Sequence, residues 1–252
     1  MKHPGDAMQR KIDSWYSENL NKKMEIVTYG HYGFPLLLFP TAAADFLEYE
    51  RFHLIKSMSE PIEQGKVKVF SINSTNSEAW LNRRVHPKFK GQRQQQYNDY
   101  VCREVVPYIW ESCQGRLGII TAGASLGAFH AANQLFRRPD LFDGMIAMSG
   151  VYDIRKYYNS FGYHDADIYL NNPVEFLPNL NDNFFLPLLQ KKERIYILTG
   201  LGAYESPDAS RSLSRLLRAK GIPHELDVWG HDMSHDWPTW RAMMEFYLKA
   251  KF

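Results

Sequence analysis

Short apolar runs, each about as long as a β-strand, recur along the chain and alternate with polar or amphipathic stretches. Continuous apolar runs of this length, bounded by glycine or turn residues, are typical of buried strands. Amphipathic stretches at 92–112, 207–219 and 236–248 predict helices. The predicted strands are 24–29, 35–40, 66–73, 117–122, 145–150, 194–200 and 224–229.

The alternation of strands and helices after residue 117 predicts an α/β fold. Its central sheet should be mainly parallel, with helices on both faces. The turn at 30–33 joins the first two predicted strands, 24–29 and 35–40, and predicts an opening hairpin. Segment 153–190 breaks the alternation with aromatic, asparagine and proline residues, and we predict an insertion over the carboxyl edge of the sheet, where such sheets bind ligands. We expect residues 1–252 to form one domain.

Composition and charge narrow the range of partners. Thirty basic and 28 acidic residues give a formal net charge of +2, and the basic residues are scattered, so we expect no nucleic-acid partner. The first twenty residues lack the apolar core of a signal peptide, and no run approaches the ~20 apolar residues of a membrane span. We therefore expect a cytoplasmic protein without a membrane partner; a homo-oligomer is left open.

One short motif suggests a nucleophile. Residues 123–127 read Gly-Ala-Ser-Leu-Gly, a G-x-S-x-G pattern between a predicted strand and a predicted helix. A serine exposed on such a sharp turn needs small neighbours, and Gly123 and Gly127 meet this need. The alternative is a tight turn in which Ser125 only caps the following helix.

A serine nucleophile needs a base, and two histidines follow the last predicted strand. His235 precedes the aromatic residues Trp237 and Trp240, which could shield an imidazole from water, so we predict His235 as the base. His231 could instead support the loop. His231, Asp232 and His235 also resemble a metal-ligand spacing, but the segment is predicted as loop and has no second ligand cluster, so we expect no metal.

The acid that orients the base should follow the preceding strand, where Glu205 and Asp208 both qualify. Asp208 comes after Pro207 in the first turn of a predicted helix, where a carboxylate has an ordinary structural role. Glu205 lies in the loop and is the preferred candidate; Asp153 is a distant third. The chain order Ser125, Glu205, His235 is the Ser…Asp/Glu…His order of α/β-hydrolases.

An oxyanion hole needs two backbone N–H groups. Leu126, which follows the nucleophile, is predicted to supply the first. The loop after the strand 36–39 should supply the second, from Thr41 or Ala42, and Thr41 is the preferred donor.

From residue 24 to its end the sequence resembles the "putative esterase" family of α/β-hydrolases, which includes esterase D-like S-formylglutathione hydrolases, feruloyl esterase domains and mycolyltransferases. The resemblance rests on four stretches. These are Phe39-Pro-Thr41, 123–127, Tyr204-Glu205-Ser-Pro207 and His235-Asp-Trp-Pro-Thr-Trp240. It implies an α/β-hydrolase fold and hydrolysis of carboxylic esters, and it favours His235 over His231 as the base.

These observations predict a serine carboxylesterase that acts on a small or short-chain ester through a Ser–His–Glu triad and an acyl-enzyme intermediate, without a cofactor. Two alternatives stay open. An acyltransferase would use the same residues, and a binding protein could keep the fold without turnover.

Overall fold

The protein is described from a computed structural model, which covers residues 8–158 and 162–252. Its centre is an eight-stranded sheet with helices on both faces, so the predicted α/β fold with a mainly parallel sheet is confirmed. The strands are β1 (Arg10–Ser17), β2 (Lys22–Tyr29), β3 (Phe34–Phe39), β4 (Val67–Ile72), β5 (Ile119–Ala124), β6 (Phe142–Met148), β7 (Arg194–Thr199) and β8 (Glu225–Val228).

The strands lie in the order β1-β2-β4-β3-β5-β6-β7-β8. Strands β3 to β8 are parallel, whereas β2 is antiparallel to both of its neighbours. The predicted hairpin between β2 and β3 is therefore wrong. β2 pairs with β1 and β4, because β1, an alternating strand that the sequence analysis missed, provides its antiparallel partner. The fully apolar β3 lies between β4 and β5.

The helices include three long ones at positions close to those predicted. The first begins at Pro87, continues through a π-helical turn, Val101–Val105, and ends at Ser112. It therefore starts five residues before the predicted 92–112, where Pro87 provides a favourable first helical position. The α-helices are α1 (Glu48–Arg51), α2 (Leu54–Ser57), α3 (Ser59–Glu63), α4 (Pro87–Tyr100), α5 (Val106–Ser112), α6 (Leu126–Arg137), α7 (Ala166–Leu170), α8 (Pro173–Phe176), α9 (Phe185–Leu189), α10 (Pro207–Ala219) and α11 (Trp237–Ala250).

The buried apolar side chains form a core on each face of the sheet. Helices α4, α5, α6 and α10 contribute to one core, together with alternate residues of the strands. Helices α1, α2, α3 and α11 contribute to the other core. Helices cover both faces of the sheet. Ligands can therefore reach the parallel strands only at the strand ends, and open α/β sheets usually bind ligands at the carboxyl ends.

The described residues of the segment predicted as an insertion form the short helices α7, α8 and α9 and the 3₁₀ turns Arg155–Tyr157 and Leu177–Asn179. Residues 159–161 of this segment, like residues 1–7 of the N-terminal stretch, lie outside the described part of the chain. Ile154, Tyr158 and Ile168 of the segment pack in a third apolar cluster with Leu126, the residue after the G-x-S-x-G serine. The segment therefore lies next to the start of α6. The number of domains stays a prediction.

Across residues 8–158 and 162–252, no helix has both the length and the apolar character that spanning a membrane would require.

Helix α6 approaches β3 very closely at Gly127. A Cβ atom added there would lie 2.2 Å from the carbonyl oxygen of Phe39 and 2.8 Å from that of Pro40. Both contacts are with backbone atoms, which cannot rotate away, so a larger residue would push the helix off the sheet. The glycine is thus required for the position of the helix that follows Ser125.

We predict that Gly127→Ala lowers the free energy of unfolding by about 2–3 kcal/mol, because the added methyl group overpacks the contact between α6 and β3. Gly115→Ala is the matched control, since a Cβ at Gly115 meets no atom within 4 Å. It should change the unfolding free energy by less than about 0.5 kcal/mol. Urea denaturation followed by circular dichroism measures both variants, and equal stabilities would contradict the packing argument.

Candidate active site

Ser125 lies on a sharp turn between β5 and α6, with φ 56° and ψ −119°. Positive φ is uncommon for residues other than glycine and is a form of backbone strain that often occurs at functional sites. Gly123 makes the turn possible, since a Cβ there would lie 2.3 Å from the carbonyl carbon of Gly127. The Ser125 hydroxyl makes no capping hydrogen bond to α6, although the residue occupies the N-cap position. The structure therefore favours a role other than capping.

Backbone and side-chain hydrogen bonds hold this turn in place. The Ser125 N–H donates to the carbonyl of Met148 at the end of β6, at 2.9 Å. The hydroxyl of Tyr49, fully buried, donates to the Phe39 carbonyl at 2.6 Å and accepts from the Ala124 N–H at 3.1 Å. Tyr49 thus joins the ends of β3 and β5 beside the serine.

His235 reaches the serine from the loop after β8. Its Nε2 atom lies 3.0 Å from the Ser125 Oγ atom, which is within hydrogen-bond distance. The imidazole packs edge-on against the Trp240 ring, with centroids 5.1 Å apart, and Trp240 contacts Trp237 in the same way. The side chain of His235 is 26% exposed. The aromatic residues after His235 therefore partly enclose the imidazole, as the sequence analysis expected.

Glu205 lies on the other side of the imidazole, in the loop after β7. Its Oε2 atom is 3.8 Å from Nδ1 of His235, and the carboxylate side chain is only 1% exposed. Burial by itself would raise the pKa of Glu205, but the neighbouring His235 and the hydroxyls of Ser149 and Thr199 more than offset this, so the pKa is lowered. Glu205 is therefore ionised at neutral pH and faces the imidazole as an anion.

The separation of 3.8 Å is longer than a hydrogen bond, and Nδ1 of His235 has no hydrogen-bond partner among the described residues. Hydrogen bonds between catalytic groups are often long in a free enzyme and shorten when substrate binds. A movement of about 1 Å would bring Nδ1 within hydrogen-bond distance of the carboxylate.

Two residues that the sequence analysis missed, Ser149 and Thr199, hold the carboxylate of Glu205. Ser149 donates to Oε1, and Thr199 donates to Oε2 at 3.1 Å. The indole N–H of Trp240 donates to the Ser149 hydroxyl at 3.0 Å, which directs the hydroxyl proton towards the glutamate. Ser149 follows β6 directly, Thr199 is the last residue of β7, and these two strands are parallel neighbours. A polar residue at the carboxyl end of each predicted strand was therefore the signal that the sequence offered.

The other candidates lie outside this arrangement. The side chain of Asp208 is 88% exposed at the start of α10 and pairs with Arg211 at 3.0 Å. His231 is exposed in the turn after β8. Asp153 pairs with Arg155. The structure thus brings Ser125, His235 and Glu205 together, whereas Asp208 and Asp153 form ion pairs elsewhere.

Two candidate backbone donors were predicted for an oxyanion. Leu126 is the first residue of α6, and the N–H groups of a first helical turn have no partner within the helix. The N–H of Thr41 donates to Oε2 of Glu48 at 2.7 Å, and the Thr41 hydroxyl donates to Oε1 at 2.6 Å. We expected the N–H of Thr41 to be free and to face the serine, but it is bonded to Glu48. Thr41 could donate to an oxyanion only if its hydrogen bond to Glu48 broke.

Glu48 is a buried carboxylate at the start of α1. Burial raises its pKa, although the two hydrogen bonds from Thr41 act in the opposite direction. Ala42, the alternative named from the sequence, is exposed, and its N–H has no hydrogen-bond acceptor among the described residues. The second oxyanion donor stays a prediction.

In the described ranges 8–158 and 162–252, no three His, Cys, Asp or Glu residues are grouped so that they could hold a metal ion. Neither cysteine is in a disulfide, and burial raises the pKa of Cys102 to about 11, so that its thiol is protonated at neutral pH. Ser125, on its strained turn, has a base in hydrogen-bond contact. The Ser214 hydroxyl also lies 2.7 Å from Nε2 of His224, but Ser214 lies inside helix α10 and is buried. The pair of Ser125 and its base is equipped for attack on an acyl carbon.

Comparison with known proteins agrees with this chemistry. The sequence profile of the family described as "putative esterase" matches residues 62–249. No curated protein sequence matches the chain.

Several solved structures share the fold. A ferulic acid esterase is 19% identical with a TM-score of 0.73, and the alignment covers 96% of each chain. The S-formylglutathione hydrolase of Staphylococcus aureus is 15% identical, with a TM-score of 0.70 over 99% of this chain and 98% of the other. A ferulic acid esterase of the fungus Anaeromyces mucronatus is 12% identical, with a TM-score of 0.70 over 99% and 93% of the two chains.

The family match covers well over half of the chain, and the neighbouring structures have the same α/β-hydrolase architecture along almost its full length. The chain therefore belongs to the "putative esterase" family and is a carboxylic ester hydrolase with an α/β-hydrolase fold.

Proposed function

We propose that the protein is a serine carboxylesterase that hydrolyses small or short-chain esters through a triad of Ser125, His235 and Glu205 and an acyl-enzyme intermediate. The observation that carries the proposal is the 3.0 Å contact between His235 Nε2 and Ser125 Oγ, made by a serine on a strained strand-to-helix turn. The family match supports the same reaction class.

In the first half of the reaction, the Ser125 oxygen attacks the ester carbonyl carbon while His235 Nε2 accepts the hydroxyl proton. Glu205 stabilises the resulting imidazolium, and its burial strengthens this interaction because little water screens it. The carbonyl oxygen becomes an oxyanion, which the Leu126 N–H and a second amide from the loop at 41–42 would hold. His235 then gives its proton to the leaving alcohol as the acyl-enzyme forms.

In the second half, water attacks the acyl carbon, and His235 accepts a proton from it. Collapse of the second tetrahedral intermediate returns that proton to Ser125 and releases the carboxylic acid. Every proton taken up by the imidazole is thus returned, and no cofactor enters the balance. Hydrolysis rates for a series of p-nitrophenyl esters of increasing acyl length would establish which acyl group the enzyme prefers.

We predict that Ser125→Ala folds as the wild type does but loses nearly all hydrolysis of p-nitrophenyl acetate, with a decrease in kcat on the order of 10⁶-fold. The alanine removes only the attacking oxygen and keeps the packing of the turn. Thermal unfolding of the variant and the wild type, followed by circular dichroism, shows whether the variant is folded. Substantial hydrolysis by the folded variant would contradict the proposed nucleophile.

We predict that Glu205→Gln lowers kcat by about 10³–10⁴-fold, because a neutral amide cannot stabilise the imidazolium. Asp208→Asn is the matched control: it removes the same charge three residues further along the chain, at a side chain that is 88% exposed. Its kcat should stay within about twofold of the wild type. Steady-state kinetics on p-nitrophenyl acetate measure both variants. A large loss in Asp208→Asn together with an active Glu205→Gln would transfer the acid role to Asp208.

A further inference from the structure

A buried hydrogen-bonded chain connects helix α6 to the loop that follows β3. Nε2 of His130, on α6, lies 2.7 Å from Oδ1 of Asn76. The Asn76 amide nitrogen donates to the carbonyl of Ala42 at 2.7 Å and to that of Thr41 at 3.2 Å. Both Asn76 and His130 are fully buried. The chain of contacts therefore runs from the helix behind Ser125 to the predicted oxyanion loop.

The donors and acceptors in this chain are determined by chemistry. The two carbonyls can only accept, so the amide nitrogen of Asn76 must face them and its oxygen must face His130. His130 is then the tautomer that carries its proton on Nε2. Burial lowers the pKa of His130 to about 3, so the ring is neutral under working conditions and this donor persists.

Packing alone does not explain a polar pair at this position. The rings of Phe39, Tyr97 and Phe129 surround His130 at centroid distances of 5.9, 5.1 and 5.0 Å. The second ring nitrogen, Nδ1, is buried without a partner among the described residues, which costs folding free energy. An apolar side chain of similar shape would avoid that cost.

The hydrogen bonds of Asn76 fix the direction of a backbone amide. A trans peptide is planar, so its C=O and N–H groups point in opposite directions. The Thr41 carbonyl and the Ala42 N–H belong to one peptide unit. Because Asn76 holds the carbonyl towards the interior, the Ala42 N–H points away from it, while Glu48 occupies the N–H of Thr41.

We propose that Asn76 and His130 are positioning residues that hold the peptide between Thr41 and Ala42 so that the Ala42 N–H serves as the second oxyanion donor. The inference rests on the proposed esterase function and adds to it the residues that place this donor. Neither side chain contacts the substrate; both act through the backbone of the loop.

The test compares kcat and KM for p-nitrophenyl acetate in the wild type and in Asn76→Ala. We expect kcat to fall by about 10²-fold and KM to change by less than about twofold, because a misplaced donor weakens binding of the transition state more than binding of the ester. The inhibition constant of a trifluoromethyl ketone, which forms a tetrahedral adduct with a serine, should rise with the loss in kcat/KM.

Asn133→Ala is the matched control, since Asn133 is an equally buried asparagine that bonds Asn171 and not the loop. It should lower thermal stability but leave kcat within about twofold of the wild type. A second pair of variants keeps the test decisive if Asn76→Ala does not fold. His130→Phe removes the ring N–H donor, whereas His130→Gln keeps an N–H donor. We therefore expect a large decrease in kcat for His130→Phe but not for His130→Gln.

An unchanged kcat in folded Asn76→Ala, or equal activity of His130→Phe and the wild type, would overturn the inference. So would an equal loss of kcat in Asn133→Ala. Failure of the proposed function looks different: the wild type would not hydrolyse the ester, or Ser125→Ala would remain active.

Discussion

The reversal of the chain at Ser125 is the constraint on which the rest of the site depends. A positive φ angle at a residue with a side chain is unfavourable, so the surrounding structure must maintain it. Gly123 and Gly127 remove the steric obstacles, and the close contact of α6 with β3 fixes where the helix begins. Once the helix is fixed, the Ser125 oxygen lies within hydrogen-bond distance of His235, and the Leu126 N–H lies at the first turn of the helix.

The parallel sheet brings the remaining groups to the same edge. The loops after β3, β5, β6, β7 and β8 contribute the segment 41–42, Ser125, Ser149, Glu205 and His235, respectively. Residues far apart in sequence therefore meet without long connecting loops: His235 and Ser125 are 110 positions apart and in contact. Glu205 is buried between two hydroxyl donors at the carboxyl ends of these strands. Because little water reaches its carboxylate, the interaction of that negative charge with His235 is only weakly screened.

Much of this arrangement could be predicted from the sequence because its signals are local. The boundaries of α10 match the prediction at both ends, since Pro207 begins an amphipathic run that continues to the end of the helix. The turn at Ser125 follows from its two glycines. The pairing of β2 could not be read in this way, because it depends on which distant strand provides the better partner. Ser149, Asn76 and His130 were missed for a related reason. Their partners are 34 or more positions away, and a single serine, asparagine or histidine carries no local pattern.

We propose that Ser125 forms a covalent acyl-enzyme during ester hydrolysis. Acid quenching of the wild type during turnover of p-nitrophenyl acetate, followed by mass spectrometry of its peptides, tests this directly. We predict one acetyl group on the peptide that contains Ser125, and none on that peptide in Ser125→Ala. Acetylation of a different residue that accounts for turnover, or full turnover without any covalent adduct, would contradict the role of Ser125 as the nucleophile.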